Sequence, residues 1–521
     1  MISSVAQAFI GLIGAFIATL VIKDLIWLQR SLTYLRQGIP VRYFPFIGFV
    51  KYLESHKKDH CFEDFYQLFR KRKNNNQSEK LILMNGPSPK PIIFLNDQDL
   101  VNEFHKKEIE VSCVHNLVEF PAKNSLSFSR DPHRVQRDRA IFAEIFYPEN
   151  LKKNTPQIRK IVQKHIDLIK NEIKESGVED LDGTQKAEIE LKPHIRNIFT
   201  DMVSFLLFGG EIPDVDGAKI VDQIKAVIRG YFNNYKSPLN IVTLGLSTKL
   251  GLNFEFNKVT KLYKKIIDKL KEVVRERENT KGYQFGSNAV DLLILKNREL
   301  EAQGKTDQMM TYDQIAENIF IIIFGGMDTS RNLTESALYK VSSDTELQKK
   351  LRKAVKEEVL DTGRGEDYHK YDNSPLLDAF VKEALRLYSP ISFTIHRKVT
   401  KKFKLGPYTI NRGDFVVVSL TTLQTKPELF NKSTKFDLGK YEEKKRIREL
   451  SKSALIPFSA GKRNCIGKNL ADLMIKLILC NFLDQFELEK SGEPNRRILE
   501  LALALKHCKA RLRVTRREES S

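Results

Sequence analysis

From Met1 to Ile22 the chain carries no charged side chain, and between Val5 and Ile22 only Gln7 and Thr19 interrupt a run of Ala, Ile, Leu, Phe, Val and Gly. As a helix this stretch rises about 33 Å, enough to cross a ~30 Å hydrocarbon layer. A cleaved signal peptide would open with basic residues, and none is present. Basic residues follow the run instead, at Lys23, Arg30, Arg36 and Arg42, and the positive-inside rule places what comes after Ile22 on the cytoplasmic side. The pattern predicts an uncleaved anchor over 1–22, a linker and hinge over 23–50 and one large domain over 51–521. Within that domain, apolar spacing predicts a long helix from Tyr312 to Lys340 whose centre, Ile319 to Phe324, is very apolar. A second helix is predicted from Lys468 to Leu483, on Leu470, Ala471, Leu473, Met474, Leu477, Ile478 and Leu479.

No Pro-, Gly- or Ser-rich linker divides the chain after residue 50, so its 521 residues are read as one unit. The five cysteines, at 61, 113, 465, 480 and 508, show no metal-finger spacing and are odd in number; a reducing compartment fits better than a disulfide framework. None of the ten histidines stands at a metal-site spacing. Net charge is +20, from 86 basic and 66 acidic residues. No helix-turn-helix, finger or aromatic-basic platform supports nucleic-acid binding. An anionic bilayer and an acidic redox partner account for the charge better.

The chemistry concentrates at Phe458-Ser459-Ala460-Gly461-Lys462-Arg463-Asn464-Cys465-Ile466-Gly467. The predicted helix from Lys468 puts Cys465 just before a helix N-terminus, where free N–H groups and the dipole favour an anion. Gly461 and Gly467 let the backbone approach closely. The segment fits the FxxGxRxCxG loop at every defining position. Five fixed residue types recur by chance in a chain this long with odds on the order of one in ten thousand. On these residues the chain resembles the cytochrome P450 family. The resemblance implies that Cys465 is the thiolate ligand of a haem iron, that Phe458 shields the sulfur side and that Arg463 reaches a propionate. A thiolate ligand favours O–O cleavage.

Further motifs stand upstream in the family's order. Glu383 and Arg386, three apart, share a helix face; alone they would read as a surface ion pair, but their flanks are apolar and predict burial. They resemble the family's K-helix pair, which braces the chain ahead of the cysteine loop. Lys440 stands where the family's third member is an Arg, and a point charge does not reproduce a bidentate fork. Arg397, seven residues after the helix-stopping Pro390, resembles the family's propionate-binding Arg, which places Ile391 to Thr394 against the substrate. Gly325-Gly326-Met327-Asp328-Thr329 breaks helical and apolar rules in the middle of the long helix, as functional segments do. It resembles the family's oxygen-activating signature: Gly325 and Gly326 open room beside the haem, while Asp328 and Thr329 feed protons. His133 and Arg137 are read as the WxxxR motif with His in the Trp place, both on propionates; a solvated helix face is the rival reading.

The resemblance implies a mainly α fold with small β-sheets, from N-terminal strands, from Phe403 to Ser419 and from the C-terminus. It implies a monooxygenase that inserts one oxygen atom of O2 into an organic substrate. Electrons would come from NADPH through a separate cytochrome P450 reductase, with cytochrome b5 as a second donor. The chain has no dinucleotide-binding GxGxxG unit of its own. Lys462, Lys468, Lys440, Lys444, Lys445, Arg446 and Arg448 suggest a basic face for the reductase. Apolar candidate cavity segments, Val114 to Phe128, Tyr231 to Phe256, Ile321 to Met327, Ile391 to Thr394 and Leu501 to Leu505, and the anchor together point to a lipophilic substrate and the endoplasmic reticulum membrane. Two rival classes remain at this stage: a haem-thiolate isomerase or dehydratase acting on peroxides, and a non-enzymatic haem sensor.

Overall fold

The uncharged N-terminal run folds as a helix, but the helix does not end where the charges begin. In the computed structural model α1 spans Ile2–Leu35 without a break. The expected boundary at Ile22 is corrected. Lys23 and Asp24 lie 3.3 Å apart and are buried rather than marking a linker. Trp27 and Tyr34 are fully buried, and Asp414 accepts bonds from Arg30 (2.5 Å) and from the Tyr34 hydroxyl (2.6 Å). The second half of α1 is thus part of the folded body, while Ile10, Ile17, Val21, Ile22, Leu25 and Leu32 stay exposed.

The structure describes residues 2–45, 79–86, 89–107, 110–111, 121–179, 185–210, 217–243, 245–286, 288–361, 368–372, 374–430, 434–441, 448, 450–452, 454–491, 497–500, 504–507 and 511–516. Cys61, Cys113, Cys508, Lys444, Lys445, Arg446, the Phe46 to Gly48 hinge and parts of three candidate cavity segments, 114–120, 244 and 501–503, lie outside them. Among the described residues no helix is long and apolar enough to cross a membrane. The side chains at 2–9, 12 and 13, on which the expected anchor rests, are not among those described.

The helices that position the site follow in chain order: α2 (Gln98–His105), α3 (Pro132–Ile145), α4 (Pro148–Ser176), α5 (Leu191–Phe208), α6 (Gly217–Lys236), α7 (Pro238–Val242), α8 (Leu246–Lys249), α9 (Phe254–Asn279), α10 (Ala289–Ala302), α11 (Tyr312–Ser342), α12 (Thr345–Val355), α13 (Pro375–Leu387), α14 (Leu420–Gln424) and α15 (Lys468–Gln485). α11 starts on a reciprocal capping box, Thr311 with Gln314. It then runs through the bundle in contact with α5, α6, α9, α12, α13 and α15. Its buried Ile315, Ile319, Phe320, Ile321 and Ile323 explain the apolar stretch: a helix packed on several sides has no solvent face to keep polar. α13 stops at Leu387, ahead of Pro390.

A mixed six-stranded sheet flanks the bundle in the order β1 (Val41–Arg42), β2 (Leu81–Met84), β3 (Ile92–Leu95), β10 (Phe415–Val418), β7 (Arg397–Lys398), β4 (Glu110–Val111). β3 and β10 pair in parallel, Ile92 with Phe415, and β7 joins antiparallel with Arg397 opposite Val416. A second sheet joins β11 (Phe486–Ser491), β14 (Arg511–Arg516), β6 (Gln185–Glu190) and β5 (Val178–Glu179). The mainly α architecture with small sheets agrees with the sequence reading, except that β5 and β6 were not expected. One apolar cluster fills the helix bundle; another sits around the first sheet and takes in Trp27 and Tyr34 of α1.

Candidate active site

The cysteine loop is built on two left-handed residues. Ser459 has φ 60° and Gly461 φ 73°. A Cβ at Gly461 would also stand 3.2 Å from the His105 carbonyl oxygen, so glycine is needed there on both counts. A single turn, Gly461–Arg463, follows, and the Cys465 backbone N–H donates to the Phe458 carbonyl (2.8 Å), closing the loop. α15 begins on Gly467, one residue past Ile466, as the apolar spacing predicted. Cys465 is exposed, yet burial in the protein is what raises its thiol pKa. Both hold for a side chain that borders an internal space. The Gly467 N–H, Arg139 and Lys468 act in the opposite direction and favour the thiolate.

The middle of α11, a helix that packs against α15, carries the two glycines. A Cβ built on Gly325 meets nothing within 4 Å, and one on Gly326 meets only Val203 at 3.9 Å, so this face is open where the rest of the helix is packed. The Thr329 hydroxyl donates to the Gly325 carbonyl (2.5 Å). Asp328 points to a polar cleft of about 370 Å³ between α5, α6 and α11, where its carboxylate pairs with Lys225 (3.0 Å) and Arg331 (2.9 Å). Lys225 is 103 residues away in the chain, and no local pattern announces it.

Three guanidinium groups converge beside the loop. Arg463 donates to the carbonyls of Leu126 (3.0 Å) and Ser129 (3.2 Å). Arg139 donates to the Asn464 carbonyl (3.0 Å) and side chain (2.8 Å). Arg397 comes in on β7. Burial and then mutual repulsion push Arg397 and Arg463 down to about 10. Among the described residues none of the three forms an ion pair with a carboxylate. Uncompensated cations in low dielectric are costly, and a bound anion would relieve them. The residues present fit haem: an accessible thiol, an open stretch on α11, and three cations for two propionates.

The structure does not bring His133 and Arg137, the pair expected on the propionates, to the cysteine loop. His133 is exposed in the first turn of α3. Arg137 forks onto Asp138 (2.8 and 2.7 Å) and reaches Gln314 and the carbonyls of Gln308 and Met309. Arg139 occupies the place expected for Arg137. A two-residue shift turns a helix by about 200°, so a register error exchanges one face for the other. Four residues before Arg139 stands Val135, buried and without a side-chain donor.

Glu383 and Arg386 are both fully buried and joined at 2.7 and 2.8 Å. Lys440 reaches Glu383 at 3.1 Å, so its ammonium is engaged there and does not belong to a docking face. The Tyr441 hydroxyl also donates to Glu383 (3.0 Å), a contact the sequence reading did not include.

With this geometry in place, a family model described as cytochrome P450 matches residues 41–514. The chain is similar to probable cytochrome P450 6a18 of Drosophila melanogaster, 22% identical over 88% of this chain and 89% of that protein. It is similar to cytochrome P450 CYP72A219 of Panax ginseng, 24% identical over 76% and 74% of the two chains, and to cytochrome P450 4d8 of Drosophila melanogaster, 26% identical over 46% and 52%.

Proposed function

The chain belongs to the cytochrome P450 family and is a haem-thiolate monooxygenase, and we propose that it oxidises lipophilic molecules at a membrane surface, drawing its electrons from NADPH through a separate reductase. The bound haem supplies reductive activation of dioxygen. Everything else falls to the chain's own residues. Cys465 would hold the haem iron through its thiolate, and Phe458 would cover its sulfur. Gly461 and Gly467 keep side chains away from the porphyrin. Arg139, Arg397 and Arg463 hold the propionates. Gly325 and Gly326 keep the distal face of α11 open. Asp328 passes protons inward from the polar cleft, and Thr329 holds the last of them near Gly325.

The observation that carries this reading is the cluster of Arg139, Arg397 and Arg463, none of them ion-paired to a carboxylate among the described residues, beside an accessible Cys465. A membrane setting is supported by apolar surface. α1 touches α7, and the stretch from α7 to the start of α9 exposes Leu239, Leu246, Leu250, Leu252 and Phe254. These side chains and the exposed apolar face of α1 belong together at a bilayer, with the uncharged 1–22 run inside it and the folded body on the cytoplasmic face of the endoplasmic reticulum. Lys462 and Lys468, both exposed beside the loop, offer the reductase a basic approach.

The test is reconstitution of the full-length protein with a microsomal reductase and NADPH in lipid vesicles. A panel of apolar and polar compounds is screened by Soret shift, followed by product analysis. Oxygenated products from apolar compounds, with haem reduction slowed by Lys462→Glu/Lys468→Glu and weakened by salt, are expected. Shifts from polar compounds alone, or reduction indifferent to both charge and salt, overturn the proposal.

A further inference from the structure

Among the described residues, the buried Glu383 carboxylate accepts five hydrogen bonds. Oε1 takes Arg386 (2.8 Å), the Asp437 backbone N–H (2.9 Å) and Lys440 (3.1 Å); Oε2 takes Arg386 Nε (2.7 Å) and the Tyr441 hydroxyl (3.0 Å). Arg386 also donates to the carbonyls of Gln424 (2.9 Å) and Lys435 (3.1 Å). This knot ties α13 to the segment that leads into the cysteine loop. A second guanidinium would grip both carboxylate oxygens at once. An ammonium is a point charge and holds one of them.

We propose that Lys440 and Tyr441 act together as a divided fork, Lys440 supplying the charge on Oε1 and Tyr441 the second hydrogen bond on Oε2. The 3-10 turn Leu438–Tyr441 makes this possible, because successive side chains leave it about 120° apart and can approach one carboxylate from two sides. Burial and the neighbouring carboxylate push the Tyr441 pKa up, so the hydroxyl keeps its proton and remains a donor. Tyr441 is therefore a positioning residue: it acts on the haem loop through Glu383, not on haem or substrate. The inference does not depend on the substrate or the membrane setting.

The swap that tests it uses the haem-loaded protein as Tyr441→Phe, Lys440→Arg and the double variant. Two readouts are followed: haem transfer to an external acceptor, and decay of the red-shifted ferrous carbonyl Soret band in mild denaturant. Tyr441→Phe should lose haem roughly 10-fold faster, the effect of one hydrogen bond to a charged group. Lys440→Arg in the Tyr441→Phe background should restore the native rate, because the guanidinium covers both oxygens. A ring that merely fills space would not be rescued by a change at its neighbour. Native behaviour of Tyr441→Phe, or a double variant no better than Tyr441→Phe, overturns the proposal. Should Tyr441→Phe yield no haem protein, recovery in the double variant supports the fork and failure there overturns it.

Discussion

Replacing Arg139 with Gln should affect the haem-free and haem-loaded forms very differently. Without haem, Arg139 crowds Arg397 and Arg463, with no carboxylate ion pair to any of the three among the described residues, and its charge lowers the pKa of both. Removing it relieves that repulsion but loses two hydrogen bonds to Asn464 (3.0 and 2.8 Å), worth about 0.5–1.5 kcal/mol each. The two effects oppose, and the stability of the apoprotein should move little. With haem in place, one of three cations facing the propionates is gone. A hydrogen bond to a charged group is worth about 1.5–3 kcal/mol, which is roughly 10- to 100-fold in haem dissociation. The assay is haem transfer to an excess of acceptor, beside thermal unfolding of the apoprotein. Arg137→Gln and His133→Ala run alongside. Arg137→Gln should keep its haem but lose stability, because it strips the buried Asp138 of its fork. An Arg139→Gln protein that holds haem as tightly as the native one, or faster haem loss from either control, refutes the reasoning.

Asp328→Asn should slow product formation by about 10²–10⁴-fold while leaving the substrate-induced spectral shift intact; native turnover would remove Asp328 from the proton route. A protein lacking residues 2–22 should remain as stable as the full chain. One lacking 2–35 should lose on the order of 3–5 kcal/mol, since Asp414 is left buried without Arg30 and Tyr34; equal denaturation midpoints for the two would contradict the docking of α1. Burial pushes His396 from 6.5 down to about 4, and among the described residues neither ring nitrogen has a hydrogen-bond partner. The folded-state pKa is the lower one, so its stability contribution is complete above about pH 6.5 and is lost as pH falls toward 4, by up to about 3 kcal/mol. His396→Leu should flatten the acid limb of urea stability measured against pH, and an unchanged slope would exclude this histidine as its cause.

What the sequence displayed, it displayed locally. The cysteine loop is ten consecutive residues whose spacing alone sets the turn, and α15 starts beyond it as the apolar pattern requires. Glu383 and Arg386 share one helical turn, and their apolar flanks announced burial. Arg139 was missed because HxxxR and VxxxR stand two residues apart on α3, and only packing against the loop decides which face turns inward. The extension of α1 to Leu35 was hidden by Lys23 and Asp24, which read as the end of an apolar span but neutralise each other inside the fold. β6 alternates weakly in sequence, and its partner β14 lies more than 300 residues on, so the pairing has no local signature. Tyr441 looked like an ordinary aromatic; its hydroxyl matters only because α13 brings Glu383 to it.

Every residue role above rests on a bond between the Cys465 sulfur and haem iron. Reducing the purified protein under carbon monoxide tests it most directly. The native chain should show the strongly red-shifted Soret band of thiolate ligation, and Cys465→His should bind haem without that shift. A native protein lacking the band, or a Cys465→His protein retaining it, would contradict the assignment.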